Sequence, residues 1–171
     1  KSVDLSALPK IRTGLQELDQ IIGGFYFGQV ILLTGRRGEG KSTLLSQLDL
    51  EAIDQGYATL IYSGELADYH VKNWMDLQAA GPDNIQVNYD ENNQPVSSIP
   101  ADMLHKINEW YTDLAYIYDN NILNDDSSEL ESLLDTIEAS IQRYDIKLIC
   151  IDNLMTAMDA MPGEDFYQAQ S

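Results

Sequence analysis

Basic residues, cysteine and long apolar runs are all scarce in this sequence. Ten Lys and Arg stand against 28 Asp and Glu in 171 residues, a formal net charge of −18. Up to Lys41 six bases (Lys1, Lys10, Arg12, Arg36, Arg37, Lys41) meet four acids (Asp4, Glu17, Asp19, Glu39). Beyond it only Lys72, Lys106, Arg143 and Lys147 are basic, against the other 24 of the 28 acids. Such a surface repels a polyanion, so these residues alone make no nucleic-acid groove. The single cysteine, Cys150, excludes a disulfide framework and fits a reducing cytoplasm. No apolar run approaches the roughly 18 residues of a membrane span. The opening KSVDLSALPKIRTG lacks a signal-peptide core. Internal repeats and low-complexity tracts are absent as well, and the length suits one domain with a sizeable core.

What is present is concentrated between Val30 and Thr43. Val30-Ile31-Leu32-Leu33-Thr34 predicts a buried parallel strand. Gly35-Arg36-Arg37-Gly38-Glu39-Gly40-Lys41-Ser42 follows, matching G-x-x-x-x-G-K-[ST] at every position. Thr43 then leads into a helical pattern. The strand–loop–helix context is the one in which this motif cradles phosphates. Gly35, Gly38 and Gly40 permit backbone angles and close approaches that a Cβ would block. Loop amides and the free N–H groups of the helix start converge on phosphate oxygens. Lys41 reaches the β- and γ-phosphates, and the Ser42 hydroxyl ligates magnesium. The expected ligands are therefore ATP or another nucleoside triphosphate, with Mg2+.

The rest of the chain supplies alternating strands and helices. Residues 1–13 are polar and predict a linker or arm; 14–171 predict one partial domain. Leu15, Leu18, Ile21 and Ile22 have the spacing of a short amphipathic helix, stopped by Gly23-Gly24. Phe25-Tyr26-Phe27 predict a hydrophobic plug before the loop strand. The helix after the loop runs to about Gln55, with Leu44, Leu45, Leu48, Ala52 and Ile53 inward. Thr59–Ser63 is a second strand, completing a right-handed βαβ unit. Glu65 lies just past its carboxyl end, where ligands of such sheets bind. By position it is equally a carboxylate for the attacking water or a helix-start acid favoured by the macrodipole. Asp68–Ala80 predict a helix ended by Gly81-Pro82, Ile85–Val87 a short strand, and Asp90–Pro100 a loop. His70 has no second ligand at metal spacing and is read as an ordinary histidine, and His105 as exposed. Ala101–Thr112 is helical, with Trp110 and Tyr111 on its inner stripe. Leu114–Tyr118 is a third strand. Ser128-x-x-Glu131 is a capping box before a further helix. Asp145–Asp152 is a fourth strand, buried on both faces. An acid ending a strand downstream of a phosphate loop holds the magnesium hydration shell opposite Ser42, which assigns Asp152.

Three segments carry a family resemblance. RTGLQELDQIIGGFYFGQVILLTGRRGEGKST resembles the opening of the RecA-like core in DnaB-type replicative helicases, with Thr13-Gly14, Leu18-Asp19 and Gly24 to Gly28 at the matching places. TLIYSGELADYHVKNWM is similar to the segment that carries the catalytic Glu there, and the match falls on Glu65. Ile151-Asp152-Asn153-Leu154 resembles the Walker B strand of the Twinkle and phage primase-helicase branch. The resemblance implies a three-layer α/β P-loop fold with a mainly parallel sheet, truncated after the Walker B strand. It also implies a helicase motor in a homo-hexameric ring at the replication fork of a bacterial or phage-infected cell, with single-stranded DNA held by parts that follow Walker B. Two other readings remain: a RecA-like ATPase of the KaiC or RadA kind, which shares TGLQELDQIIGGFYFGQV, and a non-catalytic ATP-binding helicase loader. Paired acids usual after the second strand in KaiC and RadA are missing here, since Leu66 follows Glu65.

The charge pattern makes an expectation of its own. This chain should bind single-stranded DNA only weakly, because three of its ten bases sit in the phosphate loop and too few of the rest are free to displace counterions. A low-salt fluorescence-polarisation titration with a labelled oligonucleotide checks this, and sub-micromolar affinity would contradict it.

Overall fold

The computed structural model describes residues 7–119 and 133–153. In chain order the elements are β1 (Lys10–Ile11), α1 (Gln16–Ile22), β2 (Phe25–Tyr26), α2 (Lys41–Asp54), β3 (Thr59–Ser63), α3 (Asp68–Ala80), β4 (Gln86–Tyr89), β5 (Pro95–Ser98), α4 (Ala101–Tyr111), β6 (Ala115–Ile117), α5 (Leu133–Tyr144) and β7 (Leu148–Asp152). The central sheet has the order β6-β3-β7 and is parallel throughout. β3 lies in the middle, and every residue of its run Thr-Leu-Ile-Tyr-Ser is buried.

Successive side chains of a strand point to opposite faces, and β3 shows what each face covers. Ile61 joins Leu50 and Ile53 of α2, Val71 and Met75 of α3, and Ile107 of α4 in one core. Leu60 and Tyr62 face the other way and join Leu133 and Ile137 of α5, with Tyr118 and Ile146. Helices thus cover both faces, and the expected three-layer α/β arrangement is present. Tyr62 and Tyr118 meet edge to face, their ring centroids 5.4 Å apart, a geometry their quadrupoles favour.

Val30–Thr34 departs from the expected buried strand. The segment belongs to none of the described ladders, and Val30 is 99% and Leu32 74% exposed. An apolar run marks a segment suited to burial, but a ladder also needs a partner at the right register, and among the described residues it has none. β7 pairs only with β3 within that set, so it is half-buried except at Cys150, rather than buried on both faces. The same shortage of cover explains α1, which has the expected extent but no buried residue; Ile21 is 82% exposed. A polar contact anchors α1 instead. Asp19 Oδ1 accepts from both the amide and the hydroxyl of Thr13, each at 2.9 Å.

Other differences are local. In the stretch expected to be an arm, Lys10 and Ile11 pair with Tyr26 and Phe25, and Ile11 and Thr13 are buried. Phe25 and Tyr26 are therefore strand residues, and Phe27 packs edge to face on Tyr57. Asp90–Pro100 is not simply a loop. It contains β5, which forms an antiparallel hairpin with β4. Asp90 Oδ1 shapes the turn by accepting from the amides of Asn92 and Gln94, and Asn93 takes a left-handed φ of 58°. The turn chemistry was visible as polar composition, but its closure of a hairpin was not. The capping box at Ser128 and Glu131 and the segment after Asn153 lie outside the described residues.

Exposure separates two isoleucines that the sequence pattern treats alike. Ile53→Ala should cost ~2–5 kcal/mol through lost transfer energy and a cavity, because Ile53 is 1% exposed. Ile21→Ala should stay within about 0.5 kcal/mol. Urea unfolding of both variants measures the contrast, and equal losses would overturn this assignment of the core.

Candidate nucleotide site

The loop after Val30–Thr34 ends at α2, and its glycines do the bending. Gly38 and Gly40 have φ of 81° and 82°, and a Cβ at either would meet nothing within 4 Å. Their requirement is thus conformational rather than steric. Gly40 is the N-cap of α2, so the helix's free amides open toward the loop. Gly35 differs: it has ordinary φ, but a Cβ there would sit 3.1 Å from Glu39 Oε2. Lys41 Nζ donates to the carbonyls of Gly35 at 2.9 Å and Arg36 at 2.7 Å, which holds the ammonium over the loop. Glu39 Oε2 accepts from the Arg36 amide at 2.7 Å. A carboxylate of the chain itself therefore occupies a loop amide, the kind of contact a phosphate oxygen would make. Arg37 and Thr43 are exposed, and the Thr43 carbonyl accepts from Gln78 Nε2 of α3.

The parallel register of β3 and β7 brings the remaining site residues together. Ser63 stands opposite Asp152, and the Gly64 amide donates to the Asp152 carbonyl at 2.7 Å. Glu65, two residues past the strand, therefore lies beside the end of β7. Asn153 Nδ2 donates to Glu65 Oε1 at 2.8 Å and orients that carboxylate. Ser42, Glu65 and Asp152 line one cavity of about 170 Å³ between α2, β3 and β7.

The donors of this cavity fit a magnesium ion. The carboxylates Glu65 and Asp152 line it and no basic side chain does, so a divalent cation would supply the missing positive charge. Among the described residues no group of three or more His, Cys, Asp or Glu could hold a metal. Magnesium keeps several waters and takes one or two protein ligands beside phosphate oxygens. Ser42 and Asp152 are the residues that could hold it.

Two residues of the site escaped the sequence reading. Asn153 was noticed only as part of a motif, with no partner to orient. Asp49 sits among the apolar residues of the inner stripe of α2, and local pattern assigns it no role. It is 1% exposed, seven residues after Ser42 and on the same helix face. Burial pushes its carboxyl up to about 7, and its Oδ1 has no hydrogen-bond partner. A charge on an otherwise inward-facing stripe was the signal available. His70 stacks against Tyr69 and takes no part in the cavity; His105 is exposed beside Glu109.

A family model described as "ATPase: KaiC" matches residues 11–165. The chain belongs to the KaiC ATPase family. Its relatives include the DNA repair protein RadA of Brucella abortus (strain 2308), 39% identical over 67 residues, covering 39% of this chain and 14% of the relative. RadA of Rickettsia typhi (strain Wilmington) is 30% identical over 118 residues, covering 62% and 26%. RadA of Escherichia coli (strain K12) is 42% identical over 64 residues, covering 37% and 14%. The chain thus spans between about a seventh and a quarter of the length of these relatives. These matches support the KaiC or RadA reading over the DnaB-type helicase reading, even though Leu66 replaces the second acid of the usual pair. The T-G-x-x-x-L-D stretch shared by these groups has a physical basis here in the bonds from Thr13 to Asp19. Among the described residues no helix is long and apolar enough to cross a membrane.

Asp49 gives the stability of the fold a pH dependence with a definite sign. Its folded-state pKa is raised from 3.8 to about 7, so between those values the native state holds a proton that the unfolded chain releases. Stability then falls as pH rises through that window and levels off above it. Asp49→Asn removes this loss. The variant should gain roughly 3–4 kcal/mol over wild type between pH 4 and 7.5, at about 1.4 kcal/mol per pH unit. Urea melts across that range test it; a constant difference between the two proteins would refute it.

Proposed function

We infer that this chain binds and hydrolyses ATP as a RecA-like ATPase of the KaiC and RadA type. One observation carries the reading: Ser42 of α2, Glu65 in the turn after β3 and Asp152 of β7 line one cavity. Gly35, Arg36, Arg37, Gly38, Glu39, Gly40, Lys41, Ser42 and Thr43 form the nucleotide cradle. Lys41 must leave the carbonyls of Gly35 and Arg36, and Glu39 must release the Arg36 amide, as phosphate oxygens enter. Magnesium, when bound, neutralises charge on the β- and γ-phosphates. Glu65, held by Asn153, takes the proton of the attacking water while that water is oriented for in-line displacement.

On this reading the ATPase works in DNA repair and in the cytoplasm, as the name of the RadA relatives suggests. A second reading, a DnaB-type ring helicase, is favoured by Ile151-Asp152-Asn153-Leu154 alone. In either case contact with single-stranded DNA and assembly into a homo-hexamer belong to the longer protein. A strand-displacement assay with and without a forked duplex separates the two.

Calorimetry tests the site directly. Lys41→Ala should abolish ATP binding, and Glu65→Gln should bind as wild type does. Single-turnover hydrolysis should fall in Glu65→Gln by ~10²–10⁴, the usual contribution of a general base. Unchanged ATP binding in Lys41→Ala, or hydrolysis that survives Glu65→Gln, would reject the corresponding role.

A further inference from the structure

Glu65 reaches the cavity from a turn and not from a regular element. β3 ends at Ser63 and α3 begins at Asp68, so neither ladder nor helix fixes Glu65. The helix start does not hold it either. The N-cap of α3, Ala67, makes no side-chain bond, and the acid of its first turn is Asp68. Connecting segments move more than the elements they join, yet a general base must stay within hydrogen-bond reach of the water it deprotonates.

Two hydrogen bonds shape the turn on either side of Glu65. The Gly64 amide donates to the Asp152 carbonyl at 2.7 Å. The Leu66 amide donates to the Ser63 hydroxyl oxygen at 3.1 Å, a local bond of the kind by which serine forms turns. The residues before and after Glu65 are thus both tied down, and Asn153 Nδ2 holds the carboxylate itself at 2.8 Å. Asp152 and Asn153 supply the first and last of these ties from the end of β7, whereas the middle one depends on Ser63 alone. Ser63 is suited to it. It is 6% exposed, its backbone is fixed by pairing with Asp152, and its side chain shares the face of Ile61 and borders the cavity beside Ser42, Glu65 and Asp152. Leu66, by contrast, is 40% exposed. Its amide can turn to water when the hydroxyl is removed, so the bond contributes geometry more than stability.

We propose that Ser63 is a positioning residue for Glu65: by accepting from the Leu66 amide, its hydroxyl sets the turn so that the Glu65 carboxylate meets the attacking water. This rests on the nucleotide reading above and adds to it the residue that aims the general base.

Single-turnover ATP hydrolysis and calorimetric ATP affinity, both in excess Mg2+, test it in Ser63→Ala, Ser63→Thr, Glu65→Gln and the double variant Ser63→Ala with Glu65→Gln. A misplacement of about 1 Å costs on the order of 10²-fold in rate, so Ser63→Ala should hydrolyse about 10–100-fold more slowly while its ATP dissociation constant stays within about twofold. Ser63→Thr keeps the oxygen and should retain most of the rate. With Glu65→Gln in place there is no base left to aim, so adding Ser63→Ala should slow the residual reaction no further. A serine that is merely structural would instead give losses that add in the double variant, or weaken binding as much as hydrolysis; either result overturns the proposal. So does a wild-type rate in Ser63→Ala, or a loss in Ser63→Thr as large as the alanine one. Ser63→Cys preserves the size but offers only a weak acceptor; it should also slow hydrolysis at unchanged affinity, and it decides the matter if the alanine variant does not fold. Wild-type protein that binds ATP without turning it over, or Glu65→Gln as fast as wild type, brings down the role of Glu65 and this proposal together but leaves nucleotide binding standing. No binding at all brings down the nucleotide reading itself.

Discussion

The parallel pairing of β3 with β7 is the constraint on which the site depends. Five consecutive residue pairs lock its register, from Thr59 with Leu148 to Ser63 with Asp152. A slip of one residue would turn every side chain of β7 to the opposite face. Cys150 and Asp152 would then leave the cavity. The register also ends both strands at the same level, so the chain leaving β3 carries Glu65 into reach of Asn153. Chemistry built from residues 65, 152 and 153 thus rests on backbone hydrogen bonds inside a buried strand, where shielding from water makes them hard to replace.

Around this pair the molecule is unevenly covered. β3 has strands on both edges and helices on both faces, and all five of its residues are buried. Residues 30–34 have no partner strand among the described residues, and they leave a run of apolar side chains exposed. Exposed apolar patches of this kind mark surfaces that meet other protein. Precision in the site therefore comes from the β3–β7 side, while the loop is shaped mainly by its own glycines and by Lys41 and Glu39.

Acid placement makes a related point. Most of the excess negative charge is solvated, where a carboxylate costs little. Asp49 and Asp76 are buried, but Asp76 accepts from Lys72 at 2.7 Å, whereas burial pushes the Asp49 carboxyl up to about 7. The apolar surroundings of Asp49 keep it neutral over a range in which surface acids are ionised. A neutral acid is compatible with a cavity that already holds Glu65 and Asp152; a third anion there would repel both.

Residues 35–43, the extents of α2, α3 and α4, and the strands β3, β6 and β7 were legible in the sequence because each depends on local pattern: glycine spacing, helical periodicity, or a short apolar run. Glu65 and Asp152 were legible as positions at strand ends, through the general rule on where ligands sit in parallel sheets. Residues 30–34 were read as buried because an apolar run reports a preference for burial and says nothing of whether a partner strand lies within reach. The exposure of Ile21 has the same cause. The hairpin of β4 and β5 needed a turn geometry that composition only hinted at. Asn153 bonding to Glu65 across 88 positions, and Asp49 and Cys150 lining one cavity from two elements, were decided by tertiary structure alone. Local sequence carries propensity and spacing, whereas contacts between distant segments exist only once the sheet register has brought them together.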